Sequence, residues 1–237
     1  ALKIGANFPR RSWLWNIAYK VVFSKIHQKT GGNVRFLVTG GAPISEHIEQ
    51  FFNAIGLPVV QGYGLTETSP IITGNLDEKV GSVGKPLDNL SVRISEDGEI
   101  LVKGPNVFSG YANIKNDDVF TNDGYFKTGD LGYLDDDHYL YVTGRKKELV
   151  ILSNGKNVSP NKVEEQLIQS TFINQVVVTG NNRHFLTALI VPDFDSIKHG
   201  FPALVGTNID LCNHPDLIEL INKDIIKLSH SLAPFET

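Results

Sequence analysis

The spacing of apolar residues changes character twice along this chain. The most apolar N-terminal stretch is Trp13-Leu14-Trp15-Asn16-Ile17-Ala18-Tyr19-Lys20-Val21-Val22. It predicts an amphipathic helix over 12–30 that ends near Gly31-Gly32, with a face available to a membrane surface or to another part of the protein. Residues 34–38 are a short β-rich run entering a turn at Thr39-Gly40-Gly41-Ala42-Pro43. Ser45 follows as a helix N-cap with Glu46 in the first turn. Ile48, Phe51, Phe52 and Ile55 share one helical face, and Gly56 ends the helix. A buried strand at 57–60 completes a β–turn–α–β order, which belongs to an α/β layer with a largely parallel sheet.

Between 81 and 143 short strands alternate with turn signals. Residues 91–95 and 99–103 flank the hairpin turn Glu96-Asp97-Gly98. Gly124-Tyr125-Phe126-Lys127-Thr128-Gly129-Asp130 leads into a strand at 131–134, and Asp135-Asp136-Asp137-His138 turns into another at 139–142. Strands at this spacing predict a small antiparallel barrel or sandwich. Beyond the charged linker at 144–147 the pattern becomes α+β. A strand at 149–152 precedes the turn Ser153-Asn154-Gly155, and Ser159 caps a helix with Pro160 at its first position and Val163, Leu167 and Ile168 on its apolar face. Strands at 175–179 and 185–191 follow, then a long helix at 214–232.

Composition narrows the function class. The chain has 237 residues, enough for one large or two modest domains, and a net charge of −4, which gives no global electrostatic case for nucleic acid. One cysteine, Cys212, excludes an internal disulfide framework and fits a reducing, cytoplasmic compartment; it reads as a small core residue. No apolar run approaches the length of a membrane span. Arg10 and Arg11 precede the apolar stretch, but Asn16, Tyr19 and Lys20 interrupt it and no small-residue cleavage site follows, which argues against a signal peptide. There is no methionine, even at position 1, so Ala1 suggests a processed or excised start.

Common nucleotide and metal motifs fail. Gly155-Lys156 is followed by Asn157, so no phosphate loop of the G-x-x-x-x-G-K-[ST] type exists, and Glu67 stands where a dinucleotide fingerprint after Gly62 and Gly64 needs glycine. No H-E-x-x-H, C-x-x-C or G-x-S-x-G occurs. Four segments remain. Gln61-Gly62-Tyr63-Gly64-Leu65-Thr66-Glu67-Thr68 combines close-approach glycines, a flat aromatic face, a hydroxyl and a carboxylate, groups that suit a purine, a phosphate oxygen and Mg²⁺. Thr39-Gly40-Gly41-Ala42-Pro43 offers small side chains and a helix start. The carboxylate of Thr128-Gly129-Asp130 can accept from a vicinal diol. Arg145, in Thr143-Gly144-Arg145-Lys146-Lys147-Glu148, is a planar multi-donor near a domain junction. Each segment alone also reads as an ordinary turn or a solvated basic linker.

Together and in this order the four segments resemble the adenylate-forming superfamily, and within it the long-chain fatty acid–CoA ligases. Gly81-Ser82-Val83-Gly84-Lys85-Pro86, Gly155-Lys156-Asn157-Val158 and Leu186-Thr187-Ala188-Leu189-Ile190-Val191-Pro192 add to the resemblance. It implies an α/β and α+β multidomain fold. Residues 1–144 would be the C-terminal portion of a large AMP-binding domain, with an α/β layer over residues 1–80 and a β-rich subdomain over 81–144. Residues 145–237 would be a small, mobile, truncated C-terminal domain. The resemblance implies ATP- and Mg²⁺-dependent conversion of a fatty acid to acyl-AMP, then thioester formation with CoA. On that resemblance Thr66 binds the α-phosphate and Glu67 holds Mg²⁺ as the catalytic pair. Tyr63 stacks on adenine, and Gly41, Ala42, Gln61 and Gly62 line the nucleotide pocket. Asp130 takes the ribose hydroxyls and Arg145 assists. Lys147 matches the hinge, and the loop at Gly155 and Lys156 faces the CoA side.

The chain departs from the family pattern in three places. No Ser/Thr/Gly-rich phosphate loop lies upstream of residue 40, no catalytic lysine follows the segment at 233–237, and Asp137-His138-Tyr139 replaces the usual Asp-Gly-Tyr turn. The first two lead us to expect a fragment that is inactive by itself. Two other readings stand beside this one: an adenylating enzyme for another carboxylic acid, and a non-catalytic nucleotide-binding module.

Overall fold

The computed structural model describes residues 10, 12–113, 115–201, 214–230 and 232–236; Cys212 lies outside them. The chain divides into two compact units, residues 1–142 and 143–237.

The first unit begins with the expected helix, interrupted by one wide turn. Helix α1 (Trp13–Ala18) passes through a π-helical turn (Tyr19–Phe23) into α2 (Ser24–Lys29). Ser12 caps it, its hydroxyl accepting from the Trp15 N–H. Trp15, Ala18 and Phe23 are buried against Ile55, the last residue of the next helix, and Leu57 just beyond it. Fully burying one side chain of this size contributes about 2–3 kcal/mol. Helix α3 (Glu46–Ile55) ends at Gly56, whose φ of 85° is left-handed. Its last turn leaves carbonyls without helical donors. The Trp15 indole N–H donates to the Ala54 carbonyl (3.0 Å) and His27 Nε2 to the Ile55 carbonyl (2.8 Å), so the N-terminal helix satisfies that end.

Two expectations for α3 need correction. Ser45 has extended N-cap backbone, but its side chain makes no capping bond. Ile48 and Phe51 are both 38% exposed, whereas Glu49 is fully buried. The Gly81 segment packs on the helix and its backbone N–H donates to Glu49 Oε2 at 3.0 Å, which draws the carboxyl inward.

A four-stranded sheet follows in the order β1-β2-β3-β4: β1 (Leu37–Gly40), β2 (Val59–Tyr63), β3 (Thr73–Gly74) and β4 (Lys85–Pro86). The first pair is parallel, the other two antiparallel. Both β1 and β2 lie two to three residues further along than their apolar runs suggested. Pro58 has no N–H to donate, so the β2 ladder begins after it, with the Pro58 carbonyl accepting from Leu37. The strands therefore run through their glycines, and Gly40, Gly62 and Gly74 become register neighbours.

The β-rich region is a meander, β5 (Ser91–Ile94), β6 (Glu99–Lys103), β7 (Phe126–Leu134) and β8 (Leu140–Arg145), with a one-turn helix α4 (Asn116–Val119) before β7. Ile72, Ile100, Val102 and Leu140 form its core, with Tyr63 and Leu65 packed against them. Gly84 links the two sheets. Its carbonyl accepts from Leu140, its φ is 93°, and a Cβ there would lie 2.1 Å from the Gly74 carbonyl. No other residue type fits that position.

The second unit contains β9 (Val150–Ile151) paired with β10 (Asn157–Val158), helix α5 (Pro160–Leu167), the antiparallel pair β11 (Ile173–Thr179) and β12 (Thr187–Pro192), then α6 (Phe194–Gly200) and α7 (Pro215–Ser229). Val150, Leu152, Val158, Val163, Leu167, Ile173 and Val178 form its core. Pro160 opens α5 as expected, but the Ser159 hydroxyl does not cap it; its oxygen is buried against Gly144 without a hydrogen-bond partner. Ile168 falls beyond the last helical residue and is 41% exposed rather than on the buried face.

Candidate functional site

The site of the first unit lies at the C-terminal ends of its two parallel strands. In open α/β sheets ligands bind outside the carboxyl ends of the strands. β1 ends at Gly40 and leads into Gly41, which has φ 81° and open space where a side chain would be, then Ala42. β2 carries Gln61, Gly62 and Tyr63 to the same edge. Gln61 is buried, and its backbone carbonyl accepts from the Asn75 N–H (2.8 Å). The register of Gly40 with Gly62 and of Gly62 with Gly74 leaves a strip of backbone free of side chains beside Tyr63.

Thr66 and Glu67 follow on a single 3₁₀ turn (Thr66–Thr68). Thr68 is buried and holds this turn. Its hydroxyl donates to the Leu65 carbonyl (2.9 Å) and accepts from the Leu65 N–H (3.0 Å). Thr66 is exposed at the turn and Glu67 half-buried. A second segment clamps the same turn. The Asn106 amide donates to the carbonyls of Thr68 (2.7 Å) and Ile71 (2.9 Å), the Phe108 N–H donates to the Glu67 carbonyl (2.8 Å), and the Tyr111 hydroxyl donates to Glu67 Oε1 (2.5 Å). That bond to a carboxylate, with some burial, pushes the Tyr111 phenol above its ordinary value. Asn106, Phe108 and Tyr111 were not singled out from sequence. Their segment has no periodicity, and Gly110-Tyr111 looks like any loop tip.

Asp130 arrives from the meander. Thr128-Gly129-Asp130 sits inside β7, not in a hairpin turn. Between Lys127 and Leu131 the strand has more residues than its partner has between Leu101 and Glu99, so the segment bulges. Gly129 takes φ 73° there, and its N–H donates to the carboxylate of the buried Glu99 (2.9 Å). Thr128 Oγ1 donates to the Ile100 carbonyl (2.8 Å) and accepts from the Asp130 N–H (3.1 Å). Bulges re-aim side chains. This one turns Asp130, itself 3% exposed, toward Tyr63, whose hydroxyl donates to Asp130 Oδ2 at 2.8 Å.

Mg²⁺ is held through one or two carboxylates together with substrate phosphates and water, not by an all-protein cage. The residues fit that pattern: one Glu67 oxygen is engaged by a neutral donor, the other is left to a cation, and the exposed Thr66 hydroxyl is adjacent in the chain. No cluster of three or more acidic, histidine or cysteine ligands occurs among the described residues.

The second unit holds the remaining residues. Arg145 ends β8 and Lys147 lies on the 3₁₀ turn Lys146–Glu148, both exposed. Gly155 (φ 78°, open space) and Lys156 form the β9–β10 turn, where the Lys156 ammonium lies 4.3 Å from the centre of the Phe235 ring. An apolar groove of about 370 Å³ lies between α5, β12 and α7.

Residues 14–112 match the family model described as AMP-binding enzyme, and residues 147–225 match that of the AMP-binding enzyme C-terminal domain. Asp130 and Arg145 fall between the two matched stretches. The chain is 43% identical over 227 residues to long-chain-fatty-acid–CoA ligase FadD15 of Mycobacterium bovis, covering 92% of this chain and 38% of that protein. It is 32% identical over 251 residues to human long-chain-fatty-acid–CoA ligase 1, covering 96% and 35%. Among solved structures it is similar to the O-succinylbenzoate coenzyme A synthetase (MenE) of Bacillus subtilis in complex with ATP and magnesium, at 34% identity, 72% of this chain, 40% of that one and a TM-score of 0.62. The chain thus spans little more than a third of the length of the curated relatives it matches.

Proposed function

Because the chain belongs to the AMP-binding enzyme family, we propose that the protein it represents is a long-chain fatty acid–CoA ligase. A carboxylate oxygen of the fatty acid attacks the α-phosphorus of ATP, pyrophosphate leaves, and acyl-AMP forms. The thiol of CoA then attacks the acyl carbonyl and AMP leaves. Similarity of 43% over 92% of the chain to a long-chain ligase, against 34% over 72% to an O-succinylbenzoate synthetase, favours a fatty acid over another carboxylic acid.

The observation that carries the reading is the bond from Tyr63 to Asp130 at the strand ends that also bear Thr66 and Glu67. In this reading the Tyr63 ring lies against adenine over the glycine strip of Gly41, Ala42 and Gly62, with Gln61 lining the pocket. Asp130 accepts from the ribose hydroxyls and Arg145 adds a donor. Thr66 would donate to the α-phosphate, and Glu67 would hold a Mg²⁺ ion, which would supply charge neutralisation at the phosphates. Displacement at phosphorus needs positioning and charge neutralisation more than a protein nucleophile. We take residues 1–144 and 145–237 as separate domains with Lys147 at the hinge, and the Gly155–Lys156 turn as the CoA side. A moving small domain would keep water from acyl-AMP. We assign the protein to the cytoplasm. No described helix is long and apolar enough to cross a membrane, while exposed Trp13, Ile17 and Val21 support peripheral contact with one.

Palmitate-dependent ATP–pyrophosphate exchange by the intact gene product tests the assignment, with acetate, an aromatic acid and O-succinylbenzoate as competitors. Faster exchange with any of these than with palmitate would refute the fatty acid; no exchange with any acid would leave a binding module. The 237 residues alone span 38% of the FadD15 ligase, and we expect them to show no exchange.

A further inference from the structure

Resting on the reading of Glu67 as the Mg²⁺-holding carboxylate, we propose that Tyr111 is a positioning residue that fixes which Glu67 oxygen faces the metal. Tyr111 Oη donates to Oε1 at 2.5 Å. Tyr111 is 43% exposed, yet the orientation of its ring is built in, since it packs edge-on against Phe108 with ring centres 4.8 Å apart. Phe108 in turn contacts the rings of Phe120 and Phe126. The Phe108 N–H donates to the Glu67 carbonyl, so one short segment holds both the main chain and the side chain of the same residue.

The chemistry of the donor matters. A lysine at this position would neutralise the carboxylate and compete with a cation. A phenol engages one oxygen and leaves the negative charge for Mg²⁺. Holding the carboxylate in one rotamer before the nucleotide arrives removes an ordering cost from metal binding. A loop that merely closes the surface over the aromatic cluster would need the ring of Tyr111 but not its hydroxyl.

The test uses Tyr111→Phe, Glu67→Gln and the double variant in the intact gene product. ATP binding is measured by calorimetry without any carboxylic acid, across a Mg²⁺ series, beside the Mg²⁺ dependence of exchange. Tyr111→Phe is expected to raise the Mg²⁺ concentration for half-maximal ATP binding about three- to ten-fold, the worth of an ordinary hydrogen bond and less than that of a buried one to a charged group, because the site is partly exposed. Raising Mg²⁺ to saturation should restore ATP affinity, and adding Tyr111→Phe to Glu67→Gln should change nothing further. Three results overturn the proposal: an unchanged Mg²⁺ requirement in Tyr111→Phe, an equal loss in the Glu67→Gln background, or a loss that saturating Mg²⁺ does not restore. If Glu67→Gln alone leaves the Mg²⁺ dependence unaltered, the metal role of Glu67 fails first and takes the positioning role with it.

Discussion

The Tyr63 hydroxyl donates to Asp130 Oδ2 at 2.8 Å across 67 positions of sequence. The bond ties the end of a parallel strand to a bulge in an antiparallel meander. It also orients a buried carboxylate, 3% exposed. Tyr63→Phe keeps the ring and deletes the donor. It should lower unfolding stability by about 1–2 kcal/mol, as loss of a partner to a buried charged group does. Urea denaturation measures this. Tyr63→Ala should weaken ATP binding much more than Tyr63→Phe, since only the former removes the stacking face; equal losses would contradict adenine stacking.

If Asp130 receives the ribose diol, discrimination against 2′-deoxy-ATP depends on it. The protein should bind ATP about ten-fold more tightly than the deoxy analogue, the worth of one hydrogen bond to a charged group. Asp130→Asn should shrink that ratio toward one. A preserved ratio in the variant would place the diol elsewhere.

Glu49 introduces a pH dependence of stability. Burial raises its carboxyl above the usual range, the Gly81 N–H pulls it partly back, and the charge of Glu46 adds to the rise. Its Oε1 is buried without a hydrogen-bond partner. A carboxyl whose folded value is raised contributes its stability fully below its unfolded value and loses it as pH climbs through the folded one. Glu49→Gln should therefore be more stable relative to wild type at pH 8 than at pH 5. Taking the difference between the two proteins cancels the opposite slope from carboxylates such as Asp123, which Arg93 holds down to about 2. Parallel pH profiles in urea unfolding would show that Glu49 ionises freely.

Gly84 and Gly155 both have left-handed backbone, at φ 93° and 78°, but differ in their surroundings. Alanine at 155 meets open space and should cost only the backbone strain, about 1–2 kcal/mol. At 84 it would also strike the Gly74 carbonyl and should cost more than about 4 kcal/mol or prevent folding. Similar midpoints for the two variants would mean the sheets are not joined at Gly84 as described.

Much of the fold was readable from local chemistry. The glycine and proline punctuation, the Glu96-Asp97-Gly98 hairpin, Pro160 at the start of α5 and the change from helical to alternating spacing all act within a few residues. Failures came where partners far away in sequence decide. β1 and β2 take their bounds from pairing with each other, past Pro58, not from their own apolar runs. Ile48 and Phe51 lost the inner face of α3 because the Gly81 segment offers Glu49 an N–H.

The candidate site divides in the same way. Sequence alone singled out Tyr63, Thr66, Glu67 and Asp130 as candidates, because their functional groups suit a purine, a phosphate, a cation and a diol. It could not show that a bulge at Gly129 turns Asp130 onto Tyr63, or that Tyr111 engages Glu67. Those relations depend on register and on loops meeting across 67 and 44 positions. No local pattern encodes such distances; packing the elements against one core does.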